Sequence, residues 1–142
     1  MYCEMKKELK TREDINFLVR TFYARVQKDE HLGPIFDQFI KDWEEHYERL
    51  TDFWETNLFF VKAYSGNPVA VHQKVDREWA GGLDQVQFGY WINLWFDTLD
   101  THFVGETVSI AKNRARNMAS FMFLKIFQER LAETGKKEDK PD

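Results

Sequence analysis

Apolar residues in this chain recur at three- and four-residue spacing between glycine and proline breaks, and no alternating run is bounded by hairpin turns. That period puts side chains on one face of a helix and cannot build a strand, so an all-α fold is expected. Thr11 and Asp14 have the form of a capping box ahead of Ile15, Leu18, Val19, Phe22 and Val26. This first helix is expected to stop near Gly33-Pro34. Asp42 and Glu45 open a second helix, whose apolar line runs through His46, Leu50, Phe53, Trp54 and Leu58 to the break at Ser65-Gly66-Asn67-Pro68. Asn67 and Pro68 suit the cap and first position of a short helix over 69–75 that carries His72, and Gly81-Gly82 should end that region. Asp84 caps a further helix with Phe88, Trp91, Ile92, Trp95 and Leu99 inward. Gly105 separates it from a long last helix that reaches about Leu131. Residues 1–10 read as an N-terminal extension, 11–133 as one domain and 134–142 as a charged tail, with no internal repeat.

With 142 residues, 43% of them hydrophobic and 16% aromatic, the chain has enough apolar mass for one well-filled core. Its net charge of -4 and interspersed charges give no footprint for nucleic acid. No apolar run is long enough to span a bilayer, and the first residues lack the apolar stretch of a signal peptide. A cytoplasmic monomer that binds neither nucleic acid nor membrane is expected. The single cysteine, Cys3, excludes an intramolecular disulfide and a cysteine-based zinc site, and is expected to be a free thiol without a role.

Two of the four histidines stand out. His46 is in phase with the apolar line of its helix, and His72 sits on the short helix after Pro68. An inward imidazole is a candidate iron ligand or gate, although a lone one is more often a hydrogen-bonded core residue. Tyr23, beside Phe22, and Trp91 with Trp95 are likewise open to two readings, since aromatic side chains at helical spacing usually serve packing. His31 and His102 fall near helix ends, where a solvated histidine is ordinary. Lys112, Arg114 and Arg116 read as a solvated face, and Lys136-Lys137 as a solubilising tail.

In combination these residues belong to a recognisable pattern. The stretches are Leu18-Val-Arg-Thr-Phe22-Tyr23, Leu32-Gly-Pro-Ile-Phe36, Trp43-Glu-Glu-His46, Leu50-Thr-Asp-Phe53-Trp54, Tyr64-Ser-Gly66-Asn-Pro68-Val-Ala-Val-His72 and Phe88-Gly-Tyr-Trp91-Ile-Asn-Leu-Trp95. Across residues 14–127 the chain resembles the truncated haemoglobins of the third group. The resemblance implies a shortened globin fold, a helical sandwich around a pocket for non-covalently held haem b. It implies that His72 is the proximal iron ligand, and that Tyr23, His46 and Trp91 form the distal side, with His46 either donating a hydrogen bond or gating the pocket. Phe36, Leu50, Phe53, Trp54 and Val71 match positions that pack on the porphyrin.

The implied activity is reversible binding of oxygen, and of other diatomic ligands such as NO and CO, at a five-coordinate iron with slow oxygen release. Peroxidase-like or NO-detoxifying turnover is compatible with that site and would draw on a separate, unidentified electron donor. One departure concerns the stretch between His72 and Trp91, which lacks the proline common in relatives and carries Trp79-Ala-Gly-Gly-Leu83 instead. A remodelled loop behind the proximal helix follows. Two other readings compete. A carboxylate-bridged di-iron bundle needs Glu-x-x-His pairs, and none of the histidines has Glu three residues before it. A haem-free helical interaction or sensor domain would use the same aromatic faces as plain core.

Overall fold

The structure, a computed structural model, describes residues 5–138. Cys3, residues 139–142 and the side chains of 136–138, including the Lys136-Lys137 pair, lie outside the described set. The order is β1 (Lys7–Glu8), α1 (Arg12–Lys28), α2 (Gly33–Phe39), α3 (Trp43–Phe59), α4 (Pro68–Glu78), α5 (Gln85–His102), β2 (Phe103–Val104) and α6 (Glu106–Glu138). Among the described residues no helix is long and apolar enough to cross a membrane.

The starts of four helices follow their caps. The Thr11 hydroxyl accepts from the Asp14 N–H at 3.1 Å while the Asp14 carboxylate accepts from the Thr11 N–H at 3.1 Å, closing the box at α1. The side chains of Asp42, Asn67 and Asp84 cap α3, α4 and α5 in the same way. Each satisfies backbone N–H groups that a helix start leaves free.

Four expectations are corrected. The first helix ends at Lys28, before Gly33-Pro34. The Asp29 carboxylate takes the N–H groups of His31 and Leu32, both at 2.9 Å, and turns the chain, so Gly33 and Pro34 start α2 instead. The helix carrying His72 is longer than 69–75, reaching Glu78. The first ten residues are not a simple extension, because β1 pairs in parallel with β2, Lys7 opposite Phe103, and Leu9 is fully buried. The final helix continues to Glu138, which takes up part of the stretch read as a tail.

The cations of α6 are also more than a solvated face. Arg114 donates to the Asn57 side-chain oxygen at 3.0 Å, tying α6 to α3, and Lys112 pairs with Asp100 at 2.6 Å on α5. His31 stacks flat on Tyr90 at 4.1 Å, and His102 meets the Phe17 ring edge-on at 5.2 Å.

The main core lies where α1, α3, α5 and α6 meet, around Leu18, Phe22, Trp54, Trp95, Leu99 and Ala115. A smaller one gathers Ile35, Leu83 and Ile126 with Val75, Trp79 and Phe88. It lies beneath α4, and α4 is held to the body chiefly by α6.

Candidate functional site

The inward face of α1 delivers Tyr23 into an aromatic cluster built from three other helices. Its ring centre is 5.0 Å from His46 and 6.1 Å from Trp43 on α3, and 5.6 Å from Phe36 on α2. Neighbouring Phe22 meets Trp91 of α5 edge-on at 5.4 Å. Burial pushes the Tyr23 hydroxyl well above its ordinary range, and hydrogen bonding with the Trp91 side chain offsets part of that rise. Tyr23 therefore keeps its proton and remains a donor, while the indole N–H of Trp91, a donor only, can use the Tyr23 oxygen as acceptor.

His46 lies on the first turn of α3, with its ring against Tyr23 and edge-on to Trp43 at 5.5 Å. Its Nε2 is buried and has no hydrogen-bond partner. Burial, and then the nearby Arg49 cation, lower its pKa to about 4, so the imidazole is neutral at physiological pH. A buried polar atom left without a partner costs roughly 1–3 kcal/mol unless something else occupies the space it faces.

His72 is placed by α4. Asn67 caps α4 through the Ala70 N–H at 3.1 Å and Pro68 occupies its first turn. One turn on, the Nδ1 of His72 lies 2.7 Å from the Pro68 carbonyl. A carbonyl only accepts, so Nδ1 carries the proton and the lone pair is on Nε2, the form a metal ligand needs. Burial lowers the pKa of His72, opposed by the Pro68 hydrogen bond, which again favours the neutral ring.

The two groups meet on α5. Phe88 lies beside His72, with ring centres 6.4 Å apart and planes inclined by 29°, and Trp91 follows it by one helical turn beside Tyr23. α5 thus carries Phe88 against His72 and, one turn on, Trp91 against the Phe22 ring beside Tyr23. Among the described residues no group of three or more His, Cys, Asp or Glu side chains is arranged to hold a bare metal ion.

Comparison with known proteins gives this arrangement a family. A group 3 truncated haemoglobin of Campylobacter jejuni is 31% identical over 120 residues, which are 82% of this chain and 91% of the relative. The chain belongs to the group III truncated haemoglobins. The crystal structure of a group III truncated haemoglobin from Campylobacter jejuni superposes with a TM-score of 0.77, covering 86% of this chain and 95% of that one at 30% identity. The 2/2 haemoglobin of Synechococcus sp. PCC 7002, solved in the cyanomet state with covalently attached haem, gives 0.68 over 84% of this chain and 94% of its own at 19% identity, which supports the fold alone. No family model matches the chain. The all-α, shortened globin fold expected from the sequence is the one observed.

As a truncated haemoglobin the chain is a haem-binding globin, and its side chains fit that group. His72 presents a free Nε2 lone pair, and the buried Nε2 of His46 is left for a partner the chain does not supply. The expected packing residues are distributed unevenly. Phe36 joins the Tyr23 cluster, and Leu50 and Phe53 are half-buried on α3, with Phe53 edge-on to Tyr64 at 5.1 Å. Val71 is 54% exposed beside His72. Trp54 is different: it is 2% exposed and stacks on Trp95 at 4.6 Å in the core, so it backs the wall and does not line it.

Arg49 escaped the sequence reading, and Trp43 entered it only as the start of the Trp43-Glu-Glu-His46 stretch, without a role. Trp43 touches Tyr23, Phe36 and His46, and its place three residues before His46 on one helix face was the available signal. Arg49, three residues after His46, acts electrostatically on both His46 and Tyr64 while bonded to Glu45 at 2.6 Å. A charged residue on a charge-rich helix gives no pattern to find it by.

Proposed function

We propose that this chain holds haem b through His72 and reversibly binds oxygen, with NO and CO as competing ligands, releasing oxygen slowly. A haem held by His72 would supply an iron centre able to take and polarise a diatomic ligand. The observation that carries the reading is the pairing of a neutral His72 with a free Nε2 on one side and the protonated Tyr23, partnered by Trp91, on the other.

Each chain group has a definable task. His72 donates its lone pair to the metal while Pro68 fixes the ring through Nδ1. Tyr23 points an O–H donor into an apolar surround, where a hydrogen bond to a charge-bearing ligand contributes about 1.5–3 kcal/mol. Trp91 orders the Tyr23 hydroxyl or donates directly. His46 packs against the Tyr23 ring and, being neutral, can donate from one ring nitrogen. Two donors of that size slow oxygen release by roughly two to four powers of ten. Slow release suits oxygen, NO or peroxide chemistry more than transport, and sustained turnover requires an external electron donor. These ligands, the soluble monomer and a cytoplasmic setting belong to the proposal.

The absorption spectrum of the purified protein with added haem tests it. A strong Soret band in the wild type, lost or readily stripped in His72→Ala, is expected. A wild type that refuses haem removes the proposal in favour of a haem-free helical domain. An unchanged ferrous spectrum in His72→Ala moves the ligand elsewhere.

A further inference from the structure

The helix that carries His72 has an acid, Asp76, as its only buried residue. A carboxylate in that position must be neutralised and hydrogen-bonded to be tolerated. Asp76 Oδ1 accepts from the Leu83 N–H at 2.8 Å, and Oδ2 accepts from Arg130 Nε at 3.2 Å. Arg130 Nη2 donates both to Asp76 and to the Leu83 carbonyl. Both backbone groups of Leu83 are therefore used, and α4, the loop after it and α6 are closed into one ring.

The loop is shaped for this. Gly82 has φ of 70°, and a Cβ there would stand 2.7 Å from Arg130 Nη2 and 2.8 Å from Asp76 Oδ1. Only glycine gives the guanidinium this approach. This is the Trp79-Ala-Gly-Gly-Leu83 stretch. Burial would raise the Asp76 carboxyl, but the Arg130 hydrogen bond and the Leu83 N–H hold it below its ordinary range.

His72 precedes Asp76 by one turn, so the two side chains leave α4 along neighbouring lines. The apolar contacts under α4, through Val75 and Trp79, are non-directional and tolerate sliding. A forked Arg–carboxylate pair fixes orientation as well as distance. A slip of one residue rotates a helix by about 100°, which would turn His72 away from Phe88 of α5.

We propose that Asp76 and Arg130 are positioning residues for His72, fixing the seat and roll of α4 on α6 and so the direction of the imidazole. This rests on the reading of His72 as the haem ligand. Asp76→Asn keeps the shape and the acceptor for Leu83 but drops the charge, and Arg130→Lys keeps the charge but loses the fork. Arg77→Gln, which breaks the outer pair between α4 and Glu129, is the control.

Two readouts decide. In haem-free protein, amide exchange over residues 68–83 should quicken severalfold in both clamp variants while α1 and α3 keep wild-type rates. In ferrous haem-loaded protein, the iron–imidazole stretching band in the resonance Raman spectrum should shift or split in both, and stay at the wild-type position in Arg77→Gln. A lower melting temperature with an unmoved band would show a merely structural pair and overturn the proposal. An equal shift in Arg77→Gln would spread the orientation over the whole contact and also overturn it. Absence of the band from the wild type would instead be the failure of the haem-ligand reading.

Discussion

Tyr23 and Trp91 should have effects that cannot be separated by single substitutions, because the indole acts on the Tyr23 hydroxyl itself. Tyr23→Phe leaves the ring contacts with His46 and Phe36 and deletes only the O–H, so oxygen dissociation from the reduced protein should accelerate about 10- to 100-fold. Trp91→Phe should accelerate it by a smaller factor. Stopped-flow rates for the double variant should fall short of the product of the two, as for any pair in one network. A full product would mean that each residue meets the ligand independently. At this scale the sequence was readable where a side chain's neighbours are local: the Pro68 lead-in to His72 survives as a hydrogen bond within one turn. It was unreadable where burial depends on distant partners. Trp54 shares an apolar line with Phe53, yet it stacks on Trp95 from α5 while Phe53 stays half-buried against Tyr64.

The corner between α1 and α2 sets where Phe36 and Tyr23 meet, and it depends on one glycine. A Cβ on Gly33 would lie 2.7 Å from the Gln27 carbonyl oxygen, a backbone atom that cannot swing aside. Gly33→Ala should therefore push α2 off α1 and destabilise the protein by about 1–3 kcal/mol, the usual cost of forced overpacking. The fall in urea midpoint measures it, and an unchanged midpoint would show that the corner relaxes freely. The same corner shows why helix ends were harder to read than helix existence. Gly33-Pro34 signals a stop and a start equally well, since proline is at home in a first turn, and the turn itself is made by Asp29. Four side-chain caps were legible because each acts within three residues. The β1–β2 pair was not, because two residues carry no period and their partner lies at the far end of α5.

For the molecule as a whole, buried neutral histidines and paired carboxylates imply that acid weakens the fold in two steps. His46 titrates near 4 when folded and at 6.5 when free, so the unfolded chain takes up its proton first. Its contribution is complete above about pH 6.5 and is lost as the pH falls toward 4, and His72, also lowered by burial, acts in the same direction. Asp14 behaves as a carboxylate does. Burial alone would raise it, but the Lys7 ammonium at 2.7 Å and the N–H groups of Lys10 and Thr11 bring it to about 2 from 3.8. Its contribution is complete above pH 3.8 and disappears as the pH falls through 2, with Asp76 shifted the same way. Urea unfolding of the haem-free protein, which removes ligand linkage, should show stability falling between pH 6.5 and 4 by roughly 1–3 kcal/mol for His46. His46→Phe should flatten that part of the slope without altering the lower step. Asp14→Asn should lower stability at pH 7 and flatten only the lower step. A His46→Phe protein that kept the full upper slope would mean that this imidazole is solvated in the free protein, and that the distal cluster forms only around a bound haem.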